Sequence, residues 1–191
     1  MASATQETRI DAIATKLADM QALQELLISN EQTLLQACRS DQKIADTFQE
    51  IIEDDRQNMG TIQSAISELG TTSQPQDNVQ QMVNKVRQMM SGNELDLYEK
   101  VMQHEALTHS LVMTGLLVHK AAQTSGDILE KKIDEINKVN FKNRKHQEQL
   151  KSVILTLGTR ELTGREPDDG VWGQAEDAVA ALKGFFGGIT D

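Results

Sequence analysis

Apolar residues recur every three or four positions along most of this chain, which is the pattern of amphipathic α-helices. Glycines follow several of these runs, as they do at helix C-termini, because glycine adopts the left-handed conformation without strain. Four of the predicted helices are long, about 45 Å each at 1.5 Å per residue, and four helices of matching length predict an antiparallel bundle with the short helix as a crossover. The predicted helices span about residues 6–38, 41–69, 77–91, 94–124 and 127–157.

An internal repeat supports the bundle. A shift of 88 residues places the run that begins Asp55-Arg-Gln-Asn58 over the run that begins Asn143-Arg-Lys-His146. The same shift places Gly70 on Gly158. The chain is therefore predicted to contain two similar helical hairpins, and the alternative is a coincidence between two amphipathic patterns.

The chain is predicted to divide into a bundle, residues 1–158, and a tail, residues 159–191. The tail begins with a loop that contains glycine and proline and continues as an amphipathic helix that includes Trp172, the single tryptophan. We expect this helix to pack on the bundle or on a second subunit. Its polar side lacks the basic residues that are typical of helices bound to membrane surfaces.

Composition narrows the classes of function. The formal net charge of −10 argues against nonspecific binding to nucleic acid or anionic lipid, since both are polyanions. A single cysteine, Cys38, cannot form an intrachain disulfide, and no segment has the pattern of a secretory signal or a membrane span. The sequence therefore predicts a cytoplasmic protein that works as a homo-oligomer or with a protein partner, and that binds neither nucleic acid nor membranes.

Polar residues interrupt the apolar stripes at positions where a helix would bury them. Counting residues from the predicted turns places most of them at a similar height, so that they can share one layer of the core. His104 is expected to lie beside its stripe and to be partly exposed. A second, smaller layer about two turns away is expected to contain Glu31 and His119. The main layer is predicted to contain Asp55, Asn58, Glu105, His109, Asn143 and His146.

Carboxylates and imidazoles gathered in one layer are ligands of iron and other divalent metals. The predicted metal-site residues are Asp55, Asn58, Glu105, His109, Asn143, His146, Glu31 and His119. The alternative is a buried hydrogen-bond network without metal, which would set the register between helices. The predicted cofactor is accordingly iron or another divalent metal, or none.

These spacings resemble those of ferritin-like di-iron proteins. Asp55-x-x-Asn58 and Asn143-x-x-His146 lie where such proteins have Glu-x-x-His on two core helices, and Glu105 lies like their lone glutamate. The resemblance implies a ferritin-like fold, although asparagine is a poor iron ligand. The chain also resembles an uncharacterised bacterial family that is common in photosynthetic bacteria and is described as hemerythrin-like or ferritin-like cation-binding, in segments such as 30–31, 53–55, 97–101, 140–150 and 161–164.

The sequence therefore predicts a ferritin-like protein with a degenerate polar layer that can bind metal, acting in metal or oxidative-stress handling. The alternative is a metal-free helical module that binds another protein through its bundle surface or its tail. An active di-iron oxidase is a third hypothesis. Because the chain contains no glycine-rich phosphate loop and no nucleophile elbow, a classical enzyme is not expected.

Overall fold

The structure is a computed structural model that describes residues 6–71, 73–168 and 170–187. In these ranges the chain is helical and contains no β-strand, which confirms the all-α prediction. Among the described helices, none is long and apolar enough to cross a lipid bilayer. Seven helices follow one another: α1 (Gln6–Ala37), α2 (Gln42–Leu69), α3 (Asp77–Ser91), α4 (Leu97–Ser125), α5 (Asp127–Ile133), α6 (Ile136–Thr163) and α7 (Gly170–Gly187).

Local capping sets several helix ends. The Asp41 side chain accepts a hydrogen bond from the Ile44 backbone N–H at 3.1 Å and so caps the start of α2. Gly70 ends α2 in the left-handed conformation, with φ 72°. At the start of α4, Glu99 accepts a hydrogen bond from the Asp96 backbone N–H at 2.8 Å, which completes a capping box. These short-range signals explain why the breaks before α2 and after it were predicted well.

The helix predicted at 127–157 corresponds to α5 and α6, and its two ends differ from those of α6. Two turn residues, 134 and 135, separate α5 from α6. Helix α6 then continues through Gly158 and ends before Gly164, which has φ 67°. Gly158 is buried against α4, where a β-carbon would lie 3.4 Å from the Tyr98 ring. The prediction that Gly158 caps the helix is therefore wrong, because α6 continues to Thr163 and Gly164 adopts the left-handed conformation. The division into domains at residue 158 stays a prediction.

The four long helices share one core. Helix α1 packs against α2 and α4, and α6 packs against the same two helices. Helix α3 lies on α1, whereas α5 contacts α4 and α2. Gly115 lets α4 and α6 approach closely, because a β-carbon there would overlap the side-chain oxygen of Asn140. The largest fully buried apolar side chains include Leu17, Met20, Phe48, Ile51, Ile62, Leu111, Ile133 and Ile136.

The tail helix α7 packs on α6. Ser152 of α6 donates a hydrogen bond to the Val171 carbonyl at 3.1 Å. Trp172 packs against the edge of the core, and the Lys43 ammonium lies 4.7 Å from the centre of its ring. Trp172 therefore faces the bundle, whereas Phe185 of the same helix is 72% exposed.

Candidate functional site

The four long helices each contribute one ionisable side chain to the middle of the core. We call these four residues the buried cluster: Glu31 of α1, Asp55 of α2, His104 of α4 and His146 of α6. None of them is more than 1% exposed. Ionisable side chains are rarely buried unless they are paired, so the contacts between them determine their charge states.

His146 is held between two carboxylates of α2. Its Nδ1 lies 3.2 Å from Asp55 Oδ1, and its Nε2 lies 3.3 Å from Asp54 Oδ2. Burial by itself lowers the pKa of His146, but Asp55 and Asp54 outweigh burial and raise the pKa. The hydrogen bond with His146, assisted by Lys142 and Lys145, holds the pKa of Asp54 well below its usual range. The two carboxylates therefore favour the imidazolium form of His146.

Two asparagines support this arrangement. The Asn58 amide donates a hydrogen bond to Asp55 Oδ1 at 3.0 Å and approaches Asn143 Oδ1 at 3.4 Å. Both asparagines are at most 2% exposed. The Asp55 carboxylate therefore accepts an amide hydrogen bond from its own helix and has the imidazole of α6 3.2 Å away.

The α1–α4 side of the cluster favours uncharged side chains. His104 Nε2 lies 3.3 Å from Glu31 Oε1, without the alignment of a hydrogen bond. Burial lowers the pKa of His104 to about 4, so its imidazole is uncharged at neutral pH. Burial and the neighbouring charge of Asp55 raise the pKa of Glu31 well above its usual value, which favours its protonated form.

Further polar groups surround the buried cluster. The side-chain amides of Gln24 and Asn140 are buried, and no protein atom among the described residues forms a hydrogen bond with them. Leaving such groups unpaired costs about 1–3 kcal/mol each. The centre of the bundle therefore contributes less to stability than an apolar core of the same volume would. This cost distinguishes it from the apolar part of the core.

Five of the predicted site residues meet in or beside the buried cluster. They are Glu31, Asp55, Asn58, Asn143 and His146. Glu31 lies beside Asp55 and His104, so the prediction that it belongs to a separate layer with His119 is wrong. His119 instead lies near the start of α6, where its Nε2 is 2.8 Å from Asn137 Nδ2 and 3.6 Å from Asp134 Oδ1.

Glu105 and His109 lie outside the core, contrary to the prediction. Gln147 of α6 donates a hydrogen bond to Glu105 Oε1 at 2.9 Å, and its amide nitrogen lies 3.2 Å from His109 Nδ1. Glu105 is half-buried and His109 is exposed. The two residues form a polar link on the surface between α4 and α6.

His104 is the functional residue that the sequence prediction missed. It was expected to be partly exposed, whereas it is fully buried. The buried face of α4 includes Val101, His104, Thr108 and Leu111, at spacings of three, four and three residues. The stripe predicted through Glu105 has an equally helical spacing. The two alternatives differ by a rotation of α4 of about 100° about its axis.

The metal site predicted from the sequence is also corrected. Among residues 6–71, 73–168 and 170–187, no group of three or more His, Cys, Asp or Glu side chains is arranged so that it could hold a metal ion. Two of the predicted ligands, Glu105 and His109, face away from the core. Asp55 and His146 contact each other instead.

Comparison with known proteins adds one clear similarity. No protein-family model matches the chain, and no solved structure matches it. The chain is 47% identical over 187 residues to a protein of Nostoc sp. (strain PCC 7120) that is named DNA nickase. The aligned region covers 98% of this chain and 53% of that protein, so the chain spans about half the length of the curated relative that it matches.

This similarity contradicts two predictions from the sequence. The first is a role in metal or oxidative-stress handling, and the second is the absence of a nucleic-acid partner. The second prediction used the net charge of the whole chain, which does not describe the charge of its local surfaces. The resemblance to ferritin-like proteins stays a prediction.

Proposed function

We propose that this chain is a helical unit of a DNA-processing protein and takes part in nicking DNA. The observation that supports this proposal is the 47% identity to a DNA nickase over nearly the whole of the chain. Identity at this level extends through both predicted hairpins and the tail. Because the chain spans only about half of that relative, the nicking activity in the relative's name is only a proposal for this chain.

We also propose that α1, α2, α4 and α6 form an antiparallel four-helix bundle with α3 in the long crossover. The support is that α1 and α6 each pack against both α2 and α4, while α3 lies in the connection from α2 to α4. This topology brings α1, α2, α4 and α6 to one core layer. It therefore accounts for the meeting of Glu31, Asp55, His104 and His146.

The buried cluster is proposed to set the register of the bundle rather than to cut DNA. A general acid or base must come within hydrogen-bond distance of the reacting group. The cluster residues are at most 1% exposed, so a phosphodiester has no access to them in this conformation. A carboxylate placed opposite an imidazolium has a different role, since it favours one alignment of α2 against α6.

A locally basic segment provides the proposed contact with DNA. Residues 131–145 contain six Lys or Arg and two Asp or Glu, a net charge of +4 within a chain of net charge −10. Lys142 is paired with Asp54 at 3.1 Å and Lys145 with Glu50 at 2.6 Å. Lys131 and Lys132 form no ion pair among the described residues, so phosphate groups can be bound there without first breaking one.

These two lysines lie at a groove of about 620 Å³ between α2 and α5. Hydroxyl, amide and ammonium groups are the usual donors to DNA phosphates. Glu68 and Glu135 also line the groove, so we expect binding in the range of about 10⁻⁴ to 10⁻⁶ M that is typical of nonspecific contacts. The donors that line the groove are Gln57, Thr61, Ser64, Lys131 and Lys132.

Two measurements on the purified chain test the proposal. Fluorescence anisotropy of a labelled DNA duplex at several salt concentrations gives the affinity and its salt dependence. Conversion of supercoiled plasmid to open circles on an agarose gel, with Mg²⁺ or Mn²⁺ present, gives the nicking rate. We expect salt-sensitive binding and slow accumulation of open circles.

A matched pair of variants identifies the surface and excludes a contaminating nuclease. In Lys131→Gln/Lys132→Gln, binding should weaken and the logarithmic salt slope should fall by about 2, since each phosphate contact contributes about 0.9. Lys85→Gln/Arg87→Gln removes two exposed charges from α3 and should leave both measurements unchanged. Absence of both binding and nicking at low salt would contradict the proposal, and equal losses in both variants would contradict the assignment to the groove.

A further inference from the structure

Helix α4 has a second apolar face that is directed to solvent. Its residues follow one another at spacings of four, three, four and four, which places them along one side of the helix. Met102 is 47% exposed, Met113 is 53% exposed and Leu117 is 57% exposed. A helix that is apolar on two sides is expected to be covered on both. We call this face the outer stripe: Met102, Ala106, His109, Met113 and Leu117.

The outer stripe carries no formal charge. Between Val101 and His119, no exposed residue is Lys, Arg, Asp or Glu, although such residues make up 25% of the chain. The half-buried Glu105 is already bonded to Gln147. Two copies of a chain with net charge −10 repel each other over most of their surfaces. A charge-free face is where two such copies can approach at the least electrostatic cost.

We propose that the outer stripe is a dimer interface, in which α4 pairs antiparallel with α4 of a second copy of this chain. A two-fold axis between His109 and Ser110 gives a self-complementary register. It places Met102 opposite Leu117 of the second copy and Ala106 opposite Met113. The same register places Glu99 opposite Lys120, so the charges at the two ends of the stripe are of opposite sign.

A groove beside Met102 fits this register. It has a volume of about 270 Å³ and lies between the start of α4 and the end of α6. Leu155 is 51% exposed and Leu162 is 74% exposed at its edge, which extends the apolar surface onto α6. The antiparallel register directs Leu117 of the second copy to this groove. Its apolar lining consists of Tyr98, Met102, Ile154, Leu155, Gly158 and Leu162.

The mass in solution tests the proposal. By sedimentation or light scattering, the protein should have twice the 21.2 kDa of one chain at micromolar concentrations. Met113→Lys and Leu117→Lys place charges in the outer stripe and should each yield the mass of one chain with the helix content unchanged. The control is Ile128→Lys, since Ile128 is 79% exposed on α5 outside the stripe, and this variant should remain a dimer.

Engineered cysteines test the register, because the native Cys38 is buried. In Ser110→Cys the two thiols lie near the axis and should form an intersubunit disulfide under mild oxidation. In Met102→Cys the two thiols are separated by 15 residues along the antiparallel pair, which is about 22 Å at 1.5 Å per residue. This variant should not form an intersubunit disulfide. Equal crosslinking of both variants would indicate a parallel pair or random collision and would overturn the register.

Three further results would overturn the interface itself. One is a wild-type protein with the mass of one chain at every concentration tested. Another is a dimer that persists in Met113→Lys and Leu117→Lys, since it would use a different surface. A third is loss of the dimer in Ile128→Lys to the same extent as in the stripe variants. None of these outcomes depends on whether the chain binds or nicks DNA.

Discussion

His146 on α6 places its Nδ1 3.2 Å from Oδ1 of Asp55 on α2, and both side chains are only 1% exposed. The pair joins two helices that are separated by about half of the chain. An ion pair at this depth does little for stability compared with apolar side chains of the same volume, but removing one partner leaves an uncompensated charge. The contact therefore favours one alignment of α2 and α6 over the others.

Replacing Asp55 should destabilise the protein strongly. In Asp55→Ala, His146 loses the fully buried one of its two carboxylate partners, and the free energy of unfolding should fall by about 3 kcal/mol, the lower end of the cost of breaking a buried pair, because Asp54 remains 3.3 Å away. Urea denaturation followed by circular dichroism measures this change. Glu53→Gln, an exposed acidic residue on the same helix, is the control and should change stability by less than about 0.5 kcal/mol. A loss below about 1 kcal/mol in Asp55→Ala would show that the two residues are not paired.

Replacing Glu31 should stabilise the protein at alkaline pH. The native pKa of Glu31 is raised above its unfolded value, so its favourable contribution is present below about pH 4.5 and is lost as pH rises through the native pKa. Glutamine keeps the shape and a donor for Asp55 without having to retain a proton. The melting temperature of Glu31→Gln at pH 8 should therefore exceed that of the wild type by several degrees, at roughly 2–4 °C per kcal/mol.

The difference in melting temperature between Glu31→Gln and the wild type should depend on pH. At pH 4.5 the two proteins should melt at nearly the same temperature, because Glu31 is then protonated in the native state and partly in the unfolded chain. The control is Glu25→Gln, at an exposed position on α1, which should leave the melting temperature at pH 8 close to that of the wild type. A Glu31→Gln variant that melts below the wild type at pH 8 would indicate an ionised, stabilising Glu31.

His104 should make the protein less stable in mild acid. Its native pKa of about 4 lies below the unfolded value, so the unfolded chain binds the additional proton between these values. Its contribution to stability is therefore lost as pH falls from about 6.5 to 4, by about 3 kcal/mol. Subtracting the stability of His104→Gln from that of the wild type at each pH isolates this slope. A flat difference between the two proteins from pH 6.5 to 4 would contradict a lowered pKa of His104.

Two glycines in helix interiors should respond oppositely to alanine. In Gly115→Ala the new methyl group would overlap Asn140 and press on Met20, so α4 and α6 must separate and the melting temperature should fall by at least several degrees. In Gly60→Ala nothing lies within 4 Å of the new methyl group, and higher helix propensity should stabilise the protein by up to about 1 kcal/mol. Thermal melts of the two variants check both signs, and a neutral Gly115→Ala would show that the helices are farther apart.

Some helix ends of this protein could be predicted from neighbouring residues, and one could not. Helix boundaries near Asp41, Gly70 and Asp77 were predicted within one or two residues, because capping and glycine conformation act over a few neighbouring residues. The end of α6 was misplaced, because the helix continues through Gly158 and ends before Gly164, the next glycine in the chain. A glycine that caps a helix and a glycine inside a helix look the same in a sequence.

The sequence by itself determined that this protein is all-helical and that acidic, amide and imidazole side chains interrupt its apolar stripes, because both features follow from the helical period. Only the tertiary structure decided that His104 rather than Glu105 completes the buried cluster. These neighbours differ by about 100° around the α4 axis, and the rotation of a helix with apolar residues on two faces is set by its partners. In the structure α4 packs with His104 facing Glu31, and the outer stripe is left on the surface.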